Sequence, residues 1–261
     1  MKRALVVGES LVGRSSAEAL AALGWEIETV SARALLAGAA VPGAPVDLCV
    51  LAHGKDVTGR GFGRRYDDIL ASRVAPMQAV LGSGAVGPDA RCVLMSSTVA
   101  CLGPEGRDLP LLQRAYEAAF LAQRPAGDIL RLGAMRGPRW QIDRGLPDMA
   151  RTVVLKRLRS LGGTDIPWAD DALLADALAH AMDSPDPVRA IVAHGSGFDV
   201  NGLLDGLGEM APRLPLPAAW FRTVYALLGA PRAFFRITTD DLAGCGWDWF
   251  DAPRSRVARA A

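Results

Sequence analysis

The chain lacks the features that would tie it to a membrane, a metal ion or a nucleic acid. No apolar run approaches the roughly 18 residues that a membrane-spanning helix needs. The first such run, after Met1-Lys2-Arg3, stops at Gly8-Glu9, too early for the core of a secretory signal. Cysteine is scarce: Cys49, Cys92, Cys101 and Cys245 form no CxxC pair, and the three histidines stand far apart. Free thiols, a reducing cytoplasm and no metal site are the expectation. The formal net charge is +1, so no global field draws the chain toward nucleic acid or an anionic bilayer. There is no GxSxG elbow with His and Asp partners, which argues against a hydrolase. Lysine is missing between Lys55 and Lys156. Internal repeats and low-complexity blocks are also absent.

What is there reads as a folded globular protein. The 261 residues are 50% hydrophobic and 22% charged, enough for a sizeable core. Short apolar runs at 4–8, 46–52, 91–97, 128–134 and 188–195, and the alternating EIETV at 26–30, predict strands. Between and after them, residues 14–23, 66–82, 110–123, 170–185, 200–211 and 214–229 carry helical patterns. Strands alternating with helices imply βαβ units and right-handed crossovers. The unbroken apolar character of several strands implies burial on both faces. The fold class expected is α/β: a doubly wound parallel sheet of the Rossmann dinucleotide-binding type, with a small C-terminal α/β lobe. The texture changes near residue 135. Residues 1–135 read as a dinucleotide-binding core and 136–261 as a smaller substrate-side lobe interleaved with it.

One stretch raises the functional question. In ALVVGESLVGRSSAEALAALG, residues 4–24, a strand stops at a glycine and a helix begins almost at once. A helix N-terminus offers unpaired N–H groups and partial positive charge, which suit a diphosphate. Gly8 can end the strand, and Gly13 can let the helix pack closely. The middle of the turn carries Glu9, Ser10 and Leu11 in place of a further glycine, although Ser10 offers a hydroxyl. A phosphate cradle and a plain tight turn both remain open. After the second strand no carboxylate awaits a ribose; Arg33, with Arg14, could hold a 2′-phosphate instead, favouring NADP(H) over NAD(H). The segment GKDVTGRGFGRR, 54–65, holds four glycines and four basic residues. It is either a phosphate clamp or a surface loop.

Several stretches together resemble the extended and atypical branch of the short-chain dehydrogenase/reductase superfamily. ALVVGESLVGR is similar to its opening strand and glycine loop, shortened by one residue. CVLAHG, 49–54, resembles its turn beside the adenine. RCVLMSSTVACLG, 91–103, resembles its strand ending in two serines, and DILRLGAMRGP, 128–138, its segment near the nicotinamide. IPWADDALLADALAHAM, 166–182, and LAGCGWDW, 242–249, are similar to its later helix and C-terminal motif. The resemblance implies cofactor contacts from Gly8, Ser10, Leu11, Gly13, Arg14, Arg33, Ala52, His53, Gly54 and Ser96. It implies Thr98 as the hydroxyl that orients a substrate oxygen. It also implies a Tyr-x-x-x-Lys pair, from which the chain departs. With Glu117 and Arg131 in register, the lysine position is Gln113 and the tyrosine position Leu109. Tyr116, one turn beyond Gln113, is the remaining phenol on that helix and the candidate proton donor.

Among the other candidates, His180 and His194 read as structural, and Asp170-Asp171 as helix capping before substrate contact. Trp140, Trp168, Trp220, Phe221 and Tyr225 read as core, partner surface or pocket lining. The resulting expectation is an NAD(P)-dependent oxidoreductase or epimerase/dehydratase-like enzyme acting on a small carbonyl or sugar-type molecule. The alternative is a dinucleotide-binding sensor or scaffold without catalysis. Neither nucleic acid nor a membrane is an expected partner. By family habit, helices 66–82 and 110–123 would form a homodimer interface.

Overall fold

In a computed structural model, the described residues are 2–41, 44–54, 62–136, 158–161, 165–194, 198–199, 214–217, 219–220, 223, 237 and 239–250. The chain begins one strand in from the edge of the main sheet. β1 (Arg3–Val7) is four-fifths buried, because neighbours lie on both edges and helices on both faces. α1 (Leu11–Ala22) leads to β2 (Glu26–Val30), which lies parallel on one side of β1. β2 is an edge strand. Its exposed Glu26 and Glu28 lie 3.6 Å from the Arg3 guanidinium, charges that discourage pairing with another chain. The short α2 (Ala32–Leu36) then carries the chain to the other side of β1.

There β3 (Leu48–Leu51), β4 (Arg91–Ser97) and β5 (Asp128–Leu132) follow in order, linked by α3 (Tyr66–Leu81) and α4 (Leu109–Gln123). The short strands β6 (Ala134–Arg136), β7 (Leu158–Leu161), β8 (Asp165–Ile166) and β9 (Trp168–Asp170) come next, then α5 (Asp171–Asp183). β10 (Arg189–Val192) returns to the main sheet beside β5. β11 (Phe198–Asp199), β12 (Leu214–Pro217), α6 (Thr239–Ala243) and β13 (Asp248–Phe250) complete the elements. The sheet runs β2-β1-β3-β4-β5-β10-β13, seven strands, all parallel.

This is the expected doubly wound α/β architecture. Successive strand residues face opposite ways. Val6, Val50, Val93, Leu130 and Val192 pack under Leu20 of α1 and Leu174 and Leu178 of α5. Leu5, Val7, Leu51, Leu94 and Ile129 pack under Met77 of α3 and Tyr116 and Phe120 of α4. The strand order reverses direction between β1 and β3. In open α/β sheets that reversal opens a crevice at the carboxyl ends of the strands, where ligands bind.

Two elements differ from the sequence expectation. Leu214–Pro217, ahead of the helical residues 219–220 and 223, is a strand parallel to β7. Pro215 and Pro217 lack the N–H that a helix interior requires, and they suit extended, edge-type backbone. Asp248–Phe250 forms the outermost strand, too short for any periodicity to announce. The helix expected at 200–211 lies outside the described residues, as do residues 55–61 of the segment 54–65 and Trp140, Phe221 and Tyr225. Trp220 is 67% exposed and belongs to no described core cluster.

Candidate functional site

The turn after β1 is drawn tight from two sides. Gly8 has φ +124°, a conformation costly for residues with a side chain, and a Cβ there would lie 2.7 Å from the Ala52 carbonyl oxygen. A Cβ on Gly13 would lie 2.0 Å from the Gly8 oxygen. The two glycines let α1 begin directly against the ends of β1 and β3. Ser10 caps α1: its Oγ accepts weakly from the Gly13 N–H at 3.4 Å and donates to the Ala52 oxygen at 2.9 Å. Its hydroxyl is therefore committed to the protein, a correction to its expected reach toward a phosphate. What the turn can present to an anion is backbone N–H of the first turn of α1, at Leu11 and its neighbours.

Gly8, Ser10, Leu11, Gly13, Ala52, His53 and Gly54 thus gather at the β1–β3 crevice. Arg14 and Arg33, in the first turns of α1 and α2, are exposed at the same sheet edge, and Ser31 caps α2. Ser96 differs from the expectation. Its Oγ donates to Glu117 Oε1 at 2.6 Å inside the core, so its side chain does not face a ligand. Ser97 closes β4 and caps the 3-10 turn Thr98–Cys101; Thr98 itself is 3% exposed.

The catalytic expectation for Tyr116 does not survive the geometry. The side chain is wholly buried beneath the sheet, and its hydroxyl lies 3.2 Å from His53 Nε2. That imidazole nitrogen is also 2.8 Å from the Arg73 carbonyl oxygen. Burial pushes the phenol well above its ordinary range, more than the nearby Arg73 charge pulls it down. It has neither the exposure nor the acidity of a group that hands protons to a substrate. Burial also lowers the His53 pKa, against the raising effect of the Arg73 and Val7 carbonyls, and so favours a neutral ring. Leu109 and Gln113 are buried as well. Removing the Tyr116 hydroxyl by Tyr116→Phe is expected to cost only about 1 kcal/mol of stability. Dinucleotide affinity should be unchanged; urea unfolding and calorimetry check the two halves of this statement.

Below this lies an ion pair the sequence only hinted at. Arg131 Nη2 and Nε reach Glu117 Oε2 and Oε1 at 2.7 and 2.9 Å, with both side chains under a tenth exposed. Arg131 also donates to Cys245 Sγ at 2.7 Å and lies 3.5 Å from the Trp247 ring centroid. Burial opposes its charge, but the Glu117 carboxylate holds it more firmly protonated than usual. The four cysteines are free, and burial raises the Cys92 thiol to about 11 and Cys101 to about 12. Neither is an activated nucleophile. Among the described residues no group of His, Cys, Asp or Glu could hold a metal ion.

Sequence reasoning passed over one pair. His194, just beyond β10, lies 3.1 Å from Asp170 Oδ2 and is stacked 3.9 Å from the Trp168 ring. The other oxygen of Asp170 caps α5 by accepting from the Leu173 N–H at 2.8 Å. Both side chains are partly exposed, 23% for His194 and 35% for Asp170. The cap was legible as Asp170 before a helical pattern. The pair was not, since the two residues stand 24 positions apart with no motif linking them.

No family model matches the chain, and no curated protein is similar in sequence. Solved structures share its fold. A dTDP-4-dehydrorhamnose reductase from Clostridium acetobutylicum superposes with TM-score 0.66 at 10% identity, with 95% of each chain covered. The NAD-dependent NDP-hexosamine 5,6-dehydratase TunA gives 0.58 at 16% identity, over 92% of this chain and 97% of that one. A UDP-glucose 4-epimerase from Thermus thermophilus, in complex with NAD, gives 0.54 at 18% identity, over 93% and 99%. The protein is therefore of the Rossmann-like α/β class. No helix among the described residues is long and apolar enough to cross a membrane.

Proposed function

We propose that the protein binds a nicotinamide dinucleotide across the carboxyl ends of β1, β3 and β4. In this reading it acts as an NAD(P)-dependent oxidoreductase or epimerase/dehydratase-like enzyme on a small carbonyl or sugar-type substrate. The observation that carries the reading is the cradle at the strand-order reversal. Gly8 and Gly13 bring the amino end of α1 against the end of β3, so its backbone N–H groups converge where a diphosphate would lie. The fold likeness to NAD-dependent dehydratases and epimerases supports the same cofactor class. When bound, the dinucleotide would supply hydride chemistry.

The chain's own residues would divide the remaining work. The first turn of α1 binds phosphate oxygens, and Arg33 and Arg14 discriminate a 2′-phosphate. Thr98, with its neighbour Ser97, orients a substrate oxygen. Tyr116 plays no direct part. His194, held by Asp170, is an imidazole at the same edge of the sheet and is the side chain suited to exchange a proton there. The free thiols fit a reducing, cytoplasmic setting.

Calorimetry with NADPH and NADH tests this reading. NADPH should bind more tightly than NADH. Arg33→Ala should weaken NADPH about tenfold, the loss of a charge-assisted contact, and leave NADH unchanged. If neither cofactor bound at high micromolar concentration, the cradle would be a structural turn. A second reading, dinucleotide binding without catalysis, is favoured by one observation: the tyrosine position of the resemblance is a buried leucine, Leu109. Turnover with sugar nucleotides, followed by cofactor absorbance, separates the two readings.

A further inference from the structure

Arg73 stands midway along α3 and is only 7% exposed. No carboxylate among the described residues pairs with it. Its Nη1 donates to Gln113 Oε1 at 3.0 Å, while its Nε has no partner. Tyr116 presents its ring 5.9 Å from the guanidinium carbon. The Nη2 end turns toward Gly54, where even a Cβ would come within 3.3 Å of it. Beside it, His53 Nε2 lies 2.8 Å from the Arg73 carbonyl oxygen. A buried guanidinium with an unpartnered Nε therefore lies against Gly54 beyond the end of β3, next to the strand-order reversal.

Burying an unpaired guanidinium is costly, and a hydrophobic side chain of similar length would fill the same space more cheaply. A group that persists against that penalty calls for a partner the free protein does not supply. Its position narrows what that partner is. A diphosphate on the first turn of α1 would send adenosine toward β2 and Arg33. The other nucleotide would then run toward β3 and β4, past Gly54, where Arg73 waits.

We propose that Arg73, oriented by Gln113, is a cofactor-binding cation whose guanidinium donates to the ribose oxygens on the nicotinamide half of the dinucleotide. This rests on the dinucleotide binding proposed above. Gln113 occupies the register where the resemblance has a lysine, and its amide oxygen holds Arg73. The positive charge missing from α4 arrives from α3. Gly54 keeps the approach open, because any side chain there would crowd Nη2.

The test uses calorimetry with NADPH, NADH and ADP on the full chain, together with thermal melting. Arg73→Met should lower dinucleotide affinity about tenfold or more, as loss of hydrogen bonds from a charged donor does. It should leave ADP affinity unchanged and melt at or above the wild-type temperature. Adding Gln113→Lys to Arg73→Met returns a cation to the same place and should restore most of the lost affinity. If Arg73→Met does not fold, Arg73→Gln is measured by the same criteria. Unchanged dinucleotide affinity in the variant, a parallel loss of ADP binding, or no recovery in the double variant would each overturn the assignment. Those outcomes leave dinucleotide binding standing. A wild-type protein that binds neither NADPH nor NADH would instead remove the functional reading itself, and this inference with it.

Discussion

Replacing Glu117 by glutamine is expected to cost the protein about 3–5 kcal/mol, the usual penalty for leaving one member of a buried ion pair alone. Arg131 would keep its charge with its side chain 8% exposed, and would lose the carboxylate that takes two of its N–H groups. The one amide oxygen left would have to serve both Arg131 and the Ser96 hydroxyl, and the new NH2 would face a donor. The effect should not stay local. Arg131 is also the anchor for Cys245 and Trp247, so the pair ties α4 and β5 to the segment that precedes β13. Urea unfolding should show the lower midpoint. Hydrogen exchange should show the largest loss of protection around residues 242–250. A loss of stability under about 1 kcal/mol, the range of an exposed pair, would mean that water reaches the pair in solution.

Gly13→Ala is expected to be nearly as damaging, and its damage should extend to function. The added methyl would sit 2.0 Å from the Gly8 carbonyl oxygen, far inside any real contact, and both sides of the clash are backbone. Neither can rotate away, so α1 must lift from the end of β1. Overpacking of this kind costs about 3 kcal/mol or more. Lifting α1 also moves the N–H groups that form the anion cradle, so dinucleotide binding should fall in the same variant. Gly84→Ala is the matched control, since a Cβ there meets nothing within 4 Å. It should melt within about 1 °C of wild type, as surface substitutions away from special backbone do. Equal melting temperatures for the two variants would show that the turn rearranges freely and is no fixed cradle.

The difference between these two glycines illustrates what a sequence can display. A strand ending in glycine, a polar cap and an alanine- and leucine-rich helix declare a strand-turn-helix unit without further context. β1, β3, β4 and β5 are legible for the same reason: burial on both faces demands apolar side chains at every position, and such runs stand out. β13 is not legible. At three residues it has no periodicity, and it is a strand only because β10 offers it an edge. Leu214–Pro217 is silent for a related reason: the two prolines mark where the helix can begin, but nothing local says that the four residues before it pair with β7.

Within the site, the sequence by itself determined the chemistry available. It set the two-glycine turn, the absence of lysine from α4, the lack of a carboxylate after β2, and the hydroxyl residues that close β4. Tertiary structure alone decided what those groups face. The rotation of α4 turns Gln113, Tyr116 and Glu117 toward the sheet along with Leu112 and Phe120. That buries the phenol that the sequence offers as a proton donor and joins Gln113 to Arg73, 40 residues away. His194 meets Asp170 for a comparable reason: adjacent elements of the fold end at the same edge. Hydrophobic periodicity is a local property, carried by neighbours three or four positions apart. The pairing of polar groups depends on which distant elements the sheet order brings together, and no short stretch of chain records that order.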